Sequence, residues 1–121
     1  MEMDVLRAEL LELLAGEGAH MPLEEAVADF PAEAMNTRPP NVSYTPWQLL
    51  EHIRIAQWDI LDYITNRAYE ELAWPEGYWP APDATATAED FAGTVAAITA
   101  DRRALQNLVA DPATDLFAEI P

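Results

Sequence analysis

The sequence contains no cysteine and no lysine. Without cysteine, the chain has no disulfide, no cysteine-ligated zinc or iron–sulfur site and no thiol nucleophile of its own. Only six basic residues, all arginine, stand against 22 acidic residues, which gives a formal net charge of −16 and a pI of about 4.1. Such a surface repels phosphate backbones and anionic lipid headgroups, so we expect neither nucleic acid nor a membrane as a partner.

Long apolar runs are also missing. No stretch approaches the ~18 apolar residues of a membrane span. Residues 1–14 lack the basic region and the unbroken apolar run of a secretory signal, so we expect a cytoplasmic protein. Half of the 121 residues are nonetheless hydrophobic, which is enough for the core of a single domain spanning residues 1–121.

Apolar residues recur at helical spacing in three long segments. The first covers residues 3–14 and ends at a pair of glycines. Pro22 and the two glutamates that follow it predict a short helix that ends near Phe30. Residues 32–44 are rich in asparagine, threonine and proline, so we expect them to form a surface connection.

The second long helix has the clearest start signal in the chain. Thr45 is a suitable N-cap, Pro46 suits the first helical position, and Gln48 stands where a capping box needs it. The helix is predicted to end near Asn66. One broad arc of it is apolar and has tryptophans at its edge: Leu49, Leu50, Ile53, Ile60, Leu61, Ile64, Trp47 and Trp58. The neighbouring stripe comprises His52, Ala56, Asp59 and Tyr63.

An aromatic, proline-rich segment, Trp74 to Pro82, interrupts the helical pattern. The third long helix is predicted to run from the Thr87 cap to Asp111, with one apolar side: Phe91, Val95, Ile98, Leu105 and Leu108. Three long helices, one short helix and no strand signal predict an all-α bundle. Bundles usually close with four helices, and an apolar tail leads toward a missing partner: Leu116, Phe117 and Ile120.

His52 is the first candidate for chemistry, because its place beside the apolar arc lets the imidazole face the bundle interior. Neutral imidazole is a common metal ligand, but a zinc site needs three or four protein ligands. Asp59 lies roughly 10 Å farther along the helix, too far to share one ion with His52. The alternative is a part-buried histidine that is hydrogen-bonded to a carbonyl or carboxylate, and spacing by itself favours this alternative.

Other candidates have a structural explanation beside the functional one. Glu17 and His20 have the Glu-x-x-His spacing of di-iron bundles, but nearby glycines interrupt the helix that such a site needs, so we expect His20 to cap the short helix. The aromatic residues of segment 74–82 either line the mouth of a pocket or plug that end of the core, and plugging is favoured. Arg54 is expected to pair with an acid or to stack on a tryptophan.

Two stretches of the sequence resemble the DinB-like family, the DinB/YfiT superfamily of metalloenzymes. They are Ser-Tyr-Thr-Pro-Trp-Gln-Leu-Leu-Glu-His-Ile-Arg-Ile-Ala-Gln-Trp-Asp-Ile-Leu at 43–61 and Trp-Pro-x-x-Tyr-Trp-Pro at 74–80. The resemblance spans nearly the whole chain and implies an up-and-down four-helix bundle that is often dimeric. In the family, a histidine of the second helix and two from a His-x-x-x-His motif of the last helix hold a divalent metal, commonly nickel or zinc.

By its position in the Leu-Leu-Glu-His segment, His52 corresponds to the first of those metal ligands. The family's last helix would follow Pro121, so the resemblance implies that this chain lacks that helix and its paired ligands. We therefore expect no metal to be bound by the chain alone, although nickel or zinc would bind a complete member. An apolar face left open by the missing helix predicts a homodimer.

The resemblance implies a divalent-metal-dependent enzyme, of the thiol-dependent transferase type found in some members, that acts on a small molecule and whose metal site is incomplete here. The alternative is a non-catalytic helical dimerisation or stress-associated interaction domain, in which His52 is a core residue with satisfied hydrogen bonds.

Overall fold

The computed structural model describes residues 2–16 and 21–120. All regular structure in these residues is helical, which confirms the predicted fold class. Four α-helices are joined by segments that contain single 3-10 turns at Ala32–Ala34 and Glu76–Tyr78. The helices are α1 (Glu2–Leu14), α2 (Leu23–Val27), α3 (Pro46–Thr65) and α4 (Ala88–Ala110). Both α3 and α1 pack against α4. No helix in the described ranges is long and apolar enough to cross a membrane.

Both long central helices begin with capping boxes, at Thr45 and at Thr87, the two N-caps that the sequence predicted. At α3, the Thr45 hydroxyl accepts from the Gln48 N–H at 3.0 Å, and the Gln48 side-chain oxygen accepts from the Thr45 N–H at 2.9 Å. At α4, Thr87 and Asp90 exchange the corresponding bonds at 3.1 and 2.9 Å. These bonds satisfy N–H groups that have no partner within the helix, which fixes where each helix starts.

Arg7 fastens α1 to the end of α4. Its guanidinium donates to the carbonyl oxygens of Val109, of Asp111 at 2.8 Å and of Thr114 at 3.0 Å. The last carbonyls of a helix lack intrahelical partners and carry partial negative charge, so a cation is favourable there. The Arg7 side chain therefore ties α1 to the C-terminal end of α4.

The short helix α2 ends earlier than predicted. It stops at Val27 rather than near Phe30, and Asp29 adopts a left-handed φ of 55°, which is incompatible with continuing the helix. Glu24 of α2 forms an ion pair with Arg102 of α4, and this contact lowers the pKa of the glutamate. The helix is thus held by its contact with α4 rather than by its own length.

Residues 32–44 are not only the surface connection that composition predicted. Met35 is buried in a cluster with Trp47 and Ala86, so the prediction was wrong at this position. The Asn36 side chain bonds both backbone groups of Ala86, at 2.7 and 2.9 Å, and the Met35 carbonyl accepts from the Trp47 N–H at 3.1 Å. These bonds draw the connection inward, between the starts of α3 and α4.

The packing of α3 against α4 follows the predicted pattern only in part. Ile98 and Leu105 of α4 are buried as predicted, together with Leu50 of α3. The apolar arc of α3 was expected to lie inside the bundle, but Ile53 and Ile60 remain substantially exposed among the described residues. The arc is wider than the surface that α4 covers.

Candidate functional site around His52

His52 lies about two turns into α3 and is half-buried. Its Nδ1 is 2.7 Å from the backbone carbonyl oxygen of Tyr78. A carbonyl only accepts hydrogen bonds, so in the neutral ring Nδ1 carries the proton and Nε2 keeps its lone pair. The sequence left open a bond to a carbonyl or to a carboxylate, and the structure selects the carbonyl.

The imidazole ring is also fixed by stacking. The ring of Trp79 lies parallel to it, with centroids 3.9 Å apart and an interplanar angle of 6°. Tyr44 packs against Trp79 in turn, at a centroid distance of 5.3 Å. The hydrogen bond and the stacked ring together define both the plane of the imidazole and its rotation within that plane.

Asp59 organises a second group of bonds on the same helix. Asp59 is 9% exposed, and its carboxylate accepts from the phenols of Tyr69 and Tyr78, each at 2.9 Å. The hydrogen bond to Asp59, with burial second, raises the pKa of both phenols above their usual value of about 10. Both carboxylate oxygens of Asp59 are thereby engaged.

The segment from Tyr69 to Ala84, which we call the aromatic loop, is therefore fastened to α3 at three levels. Near the helix start, the Gln48 amide donates to the carbonyls of Pro82 and Ala84, each at 3.1 Å. His52 and Asp59 hold the loop farther along, as described above. Of the aromatic residues predicted to line a pocket or plug the core, Tyr78 and Trp79 pack against α3, whereas Trp74 is 75% exposed and does neither.

A groove of about 640 Å³ lies beside His52. It is formed by α1, α3, α4 and the tail, and its lining is mainly apolar: Leu10, Leu14, Ile60, Leu105, Leu116 and Ile120. The predicted apolar tail thus contributes to this groove, although Phe117 itself is exposed. A concave apolar surface of this volume with a few polar groups is typical of small-molecule sites.

The described residues do not by themselves fit a complete metal site. Within residues 2–16 and 21–120, no group of three or more histidine, cysteine or acidic side chains is placed to hold an ion. Asp59 is engaged by two phenols, and His20 lies outside the described residues. A ring N–H donated to a carbonyl is nevertheless the arrangement that metal-bound histidines show. Ligation by His52 stays a prediction.

Sequence reasoning found His52 but missed the residues that hold it. The roles of Tyr69 and Tyr78 toward Asp59, and the stacking of Trp79 on His52, depend on contacts across 10 to 27 positions that no local pattern encodes. The aromatic motif at 74–80 was the available signal. The prediction that Arg54 pairs with an acid is confirmed, because it forms a two-pronged ion pair with Glu51 one turn earlier.

A sequence model of the DinB superfamily matches residues 15–120, which include α2, α3, the aromatic loop and α4. No curated protein and no solved structure shows a significant match. The family match covers most of the chain, and the helical fold agrees with it. The chain therefore belongs to the DinB superfamily.

Proposed function

We propose that the chain is a DinB-like protein in which Nε2 of His52 binds a divalent metal ion, nickel or zinc, in a metal-dependent enzyme that acts on a small molecule. The observation that carries the proposal is the bond from Nδ1–H to the Tyr78 carbonyl, because it leaves Nε2 as the donor atom. Within the described residues no group of three potential ligands is placed to hold an ion, so the proposal assigns His52 alone. Because the sequence resembles a family in which some members are thiol-dependent transferases, the proposal includes that type of enzyme.

The apolar groove supports a small substrate with a mainly apolar body. His52 is one of the few polar residues that line it, along with Gln57, Thr114 and Asp115. The Gln57 amide already donates to the Ile98 carbonyl at 2.8 Å, so one of its two N–H donors is occupied. Residues of the aromatic loop orient the imidazole, and His52 also lines the groove.

Paramagnetic nickel tests whether Nε2 of His52 is open to a metal ion, although the chain alone is not expected to hold one tightly. Added to ¹⁵N-labelled protein, it is expected to broaden the resonances of His52 and the groove residues first, and this broadening disappears in His52→Ala. His20→Ala is the matched control and keeps the broadening at His52. A net charge of −16 attracts cations everywhere, so broadening spread evenly over the acidic surface in all three proteins contradicts the proposal.

A second candidate function is a non-catalytic homodimerisation domain. It is favoured by the exposed apolar residues along the groove, Ile53, Ile60 and Ile120. Asp115 is the one charged side chain among the groove-lining residues that the structure describes. Two strongly acidic copies would therefore meet with little charge repulsion on this face.

Sedimentation equilibrium tests the dimer. The proposal expects a dimer for the wild type and a monomer for Ile60→Glu, which places a charge in the groove. Val5→Glu is the matched control, because Val5 is an exposed apolar residue of α1 that does not line the groove, and it leaves the dimer intact. A monomeric wild type at micromolar concentration rules out this candidate.

A further inference from the structure

We infer that Asp59 and Tyr78 are positioning residues for His52: Asp59 holds the Tyr78 phenol, and the Tyr78 carbonyl keeps the imidazole proton on Nδ1. The inference rests on the proposed function in one respect: metal binding is the role that it gives to the free Nε2. The positioning itself concerns this chain's own residues.

Tyr78 contacts α3 at two separate places. Asp59 stands seven positions beyond His52, roughly 10 Å along the helix axis. The phenol of Tyr78 reaches Asp59 at 2.9 Å, and the backbone carbonyl of the same residue reaches His52 at 2.7 Å. A tyrosine held at both ends spans the two levels, so a change at Asp59 is transmitted to the carbonyl beside His52.

The bond at the Asp59 end is the stronger anchor. A phenol that donates to an ionised carboxylate forms a charge-assisted hydrogen bond, which is roughly twice as strong as a neutral one. Asp59 is 9% exposed, so water competes little for its carboxylate. The anchor therefore fixes where the backbone of Tyr78 lies.

The backbone around Tyr78 forms a compact turn, so the position of the phenol also affects the position of the Tyr78 carbonyl. Tyr78 N–H donates to the Pro75 carbonyl at 3.1 Å and Gly77 N–H to the Ala73 carbonyl at 2.6 Å. A Cβ at Gly77 would stand 3.0 Å from the Leu72 Cβ, so the turn closes tightly on the residues before it. A compact turn moves as a unit when its anchor is lost.

The carbonyl decides which nitrogen of His52 is free. A neutral imidazole has one N–H and one lone pair, and the proton is able to occupy either nitrogen. Donation to the Tyr78 carbonyl selects the Nδ1–H tautomer. If the carbonyl retreats, this selection is lost and Nε2 is protonated in part of the molecules.

Nitrogen NMR of the histidine rings tests this inference on the full, metal-free chain. Two-bond ¹H–¹⁵N correlations distinguish the two neutral tautomers from each other and from the charged ring, in which both nitrogens are protonated. The wild type is expected to show the Nδ1–H tautomer at His52. Tyr78→Phe, which removes the phenol bond to Asp59 and keeps the ring, is expected to give a mixture of both tautomers, and Asp59→Ala, which removes both acceptor oxygens, is expected to give the same.

Tyr69→Phe is the matched control. It also removes one phenol from Asp59, but it leaves the bonds of Tyr78 to Asp59 and to His52 in place, so the Nδ1–H tautomer is expected to persist. An unchanged tautomer in Tyr78→Phe, or an equal shift in Tyr69→Phe, overturns the positioning role.

The wild-type spectrum keeps the inference falsifiable if a variant fails to fold, because an Nε2–H tautomer there also overturns it. No metal is present in this experiment, so its result is independent of whether nickel or zinc binds.

Discussion

Two sides of α3 are built from different interactions. The side facing the aromatic loop is held by directional bonds from Gln48, His52 and Asp59. The side facing the groove carries apolar residues such as Ile60, which is 54% exposed. Directional bonds require one arrangement of the loop, whereas an apolar surface accepts any partner of suitable shape. The first side therefore fixes the imidazole, and the second is available for a ligand or another chain.

The largest expected difference is between the packed and the open surfaces of the same helix. Leu50 is 5% exposed, so Leu50→Ala is expected to lower the free energy of unfolding by about 2–5 kcal/mol, through lost burial and a cavity. Ile60→Ala is expected to lower it by less than about 1 kcal/mol, because that side chain is already largely in water. Urea denaturation measures both. An equal loss at Ile60 would show that the groove side is buried in solution.

A smaller effect is expected where the loop meets the start of α3. Gln48→Ala removes half of the capping box and both bonds to the loop carbonyls, and should cost about 1–3 kcal/mol because the site is buried. Asp90→Ala removes the same capping-box position from α4, where the residue is exposed and bonds only at its own helix end. Its expected cost is about 1 kcal/mol or less. Equal losses would mean that the loop bonds add nothing.

Alkaline pH weakens the loop side selectively. The hydrogen bonds to Asp59 raise the pKa of Tyr69 and Tyr78 in the folded state, so these phenols stay protonated where those of the unfolded chain ionise, from about pH 10. The folded state then binds more protons than the unfolded state, and the free energy of unfolding falls as the pH rises above that value. Below it, the contribution of these bonds is complete.

Urea titrations between about pH 9 and 11 measure this dependence. Tyr69→Phe is expected to reduce the slope, since it removes one of the two phenols. Tyr44→Phe leaves both bonds to Asp59 intact and is expected to keep the wild-type slope. A slope unchanged in Tyr69→Phe would contradict the assignment.

The smallest effect on the free energy of unfolding is expected for an ion pair within α3. Arg54 and Glu51 form a partly exposed ion pair within the helix, which should contribute less than about 1 kcal/mol. A double-mutant cycle at low salt measures the contribution, and at about 1 M salt the coupling should approach zero because the Debye length is then near 3 Å. A coupling that persists in high salt would show that the pair is more buried than the structure places it.

The helices of this protein were largely predictable because their signals are local. Thr45 with Gln48 and Thr87 with Asp90 each form a complete start signal within four residues, and both helices begin there. His52 was found as a candidate from its angular place beside the apolar arc, but its contacts with the aromatic loop were not predicted. The buried Met35 was not predictable, because its burial depends on Asn36 bonding to Ala86, 50 positions away.

The sequence by itself determined an acidic, all-helical domain, the starts of its two long central helices and one imidazole beside the apolar arc of the first of them. Capping bonds and helical periodicity act within a few residues, so they can be read from the chain directly. Tertiary structure alone decided that Tyr78 joins Asp59 to His52, that Trp79 covers the ring and that part of the apolar arc borders an open groove. These features depend on where a loop folds back onto a helix, and that position is set by bonds between distant residues.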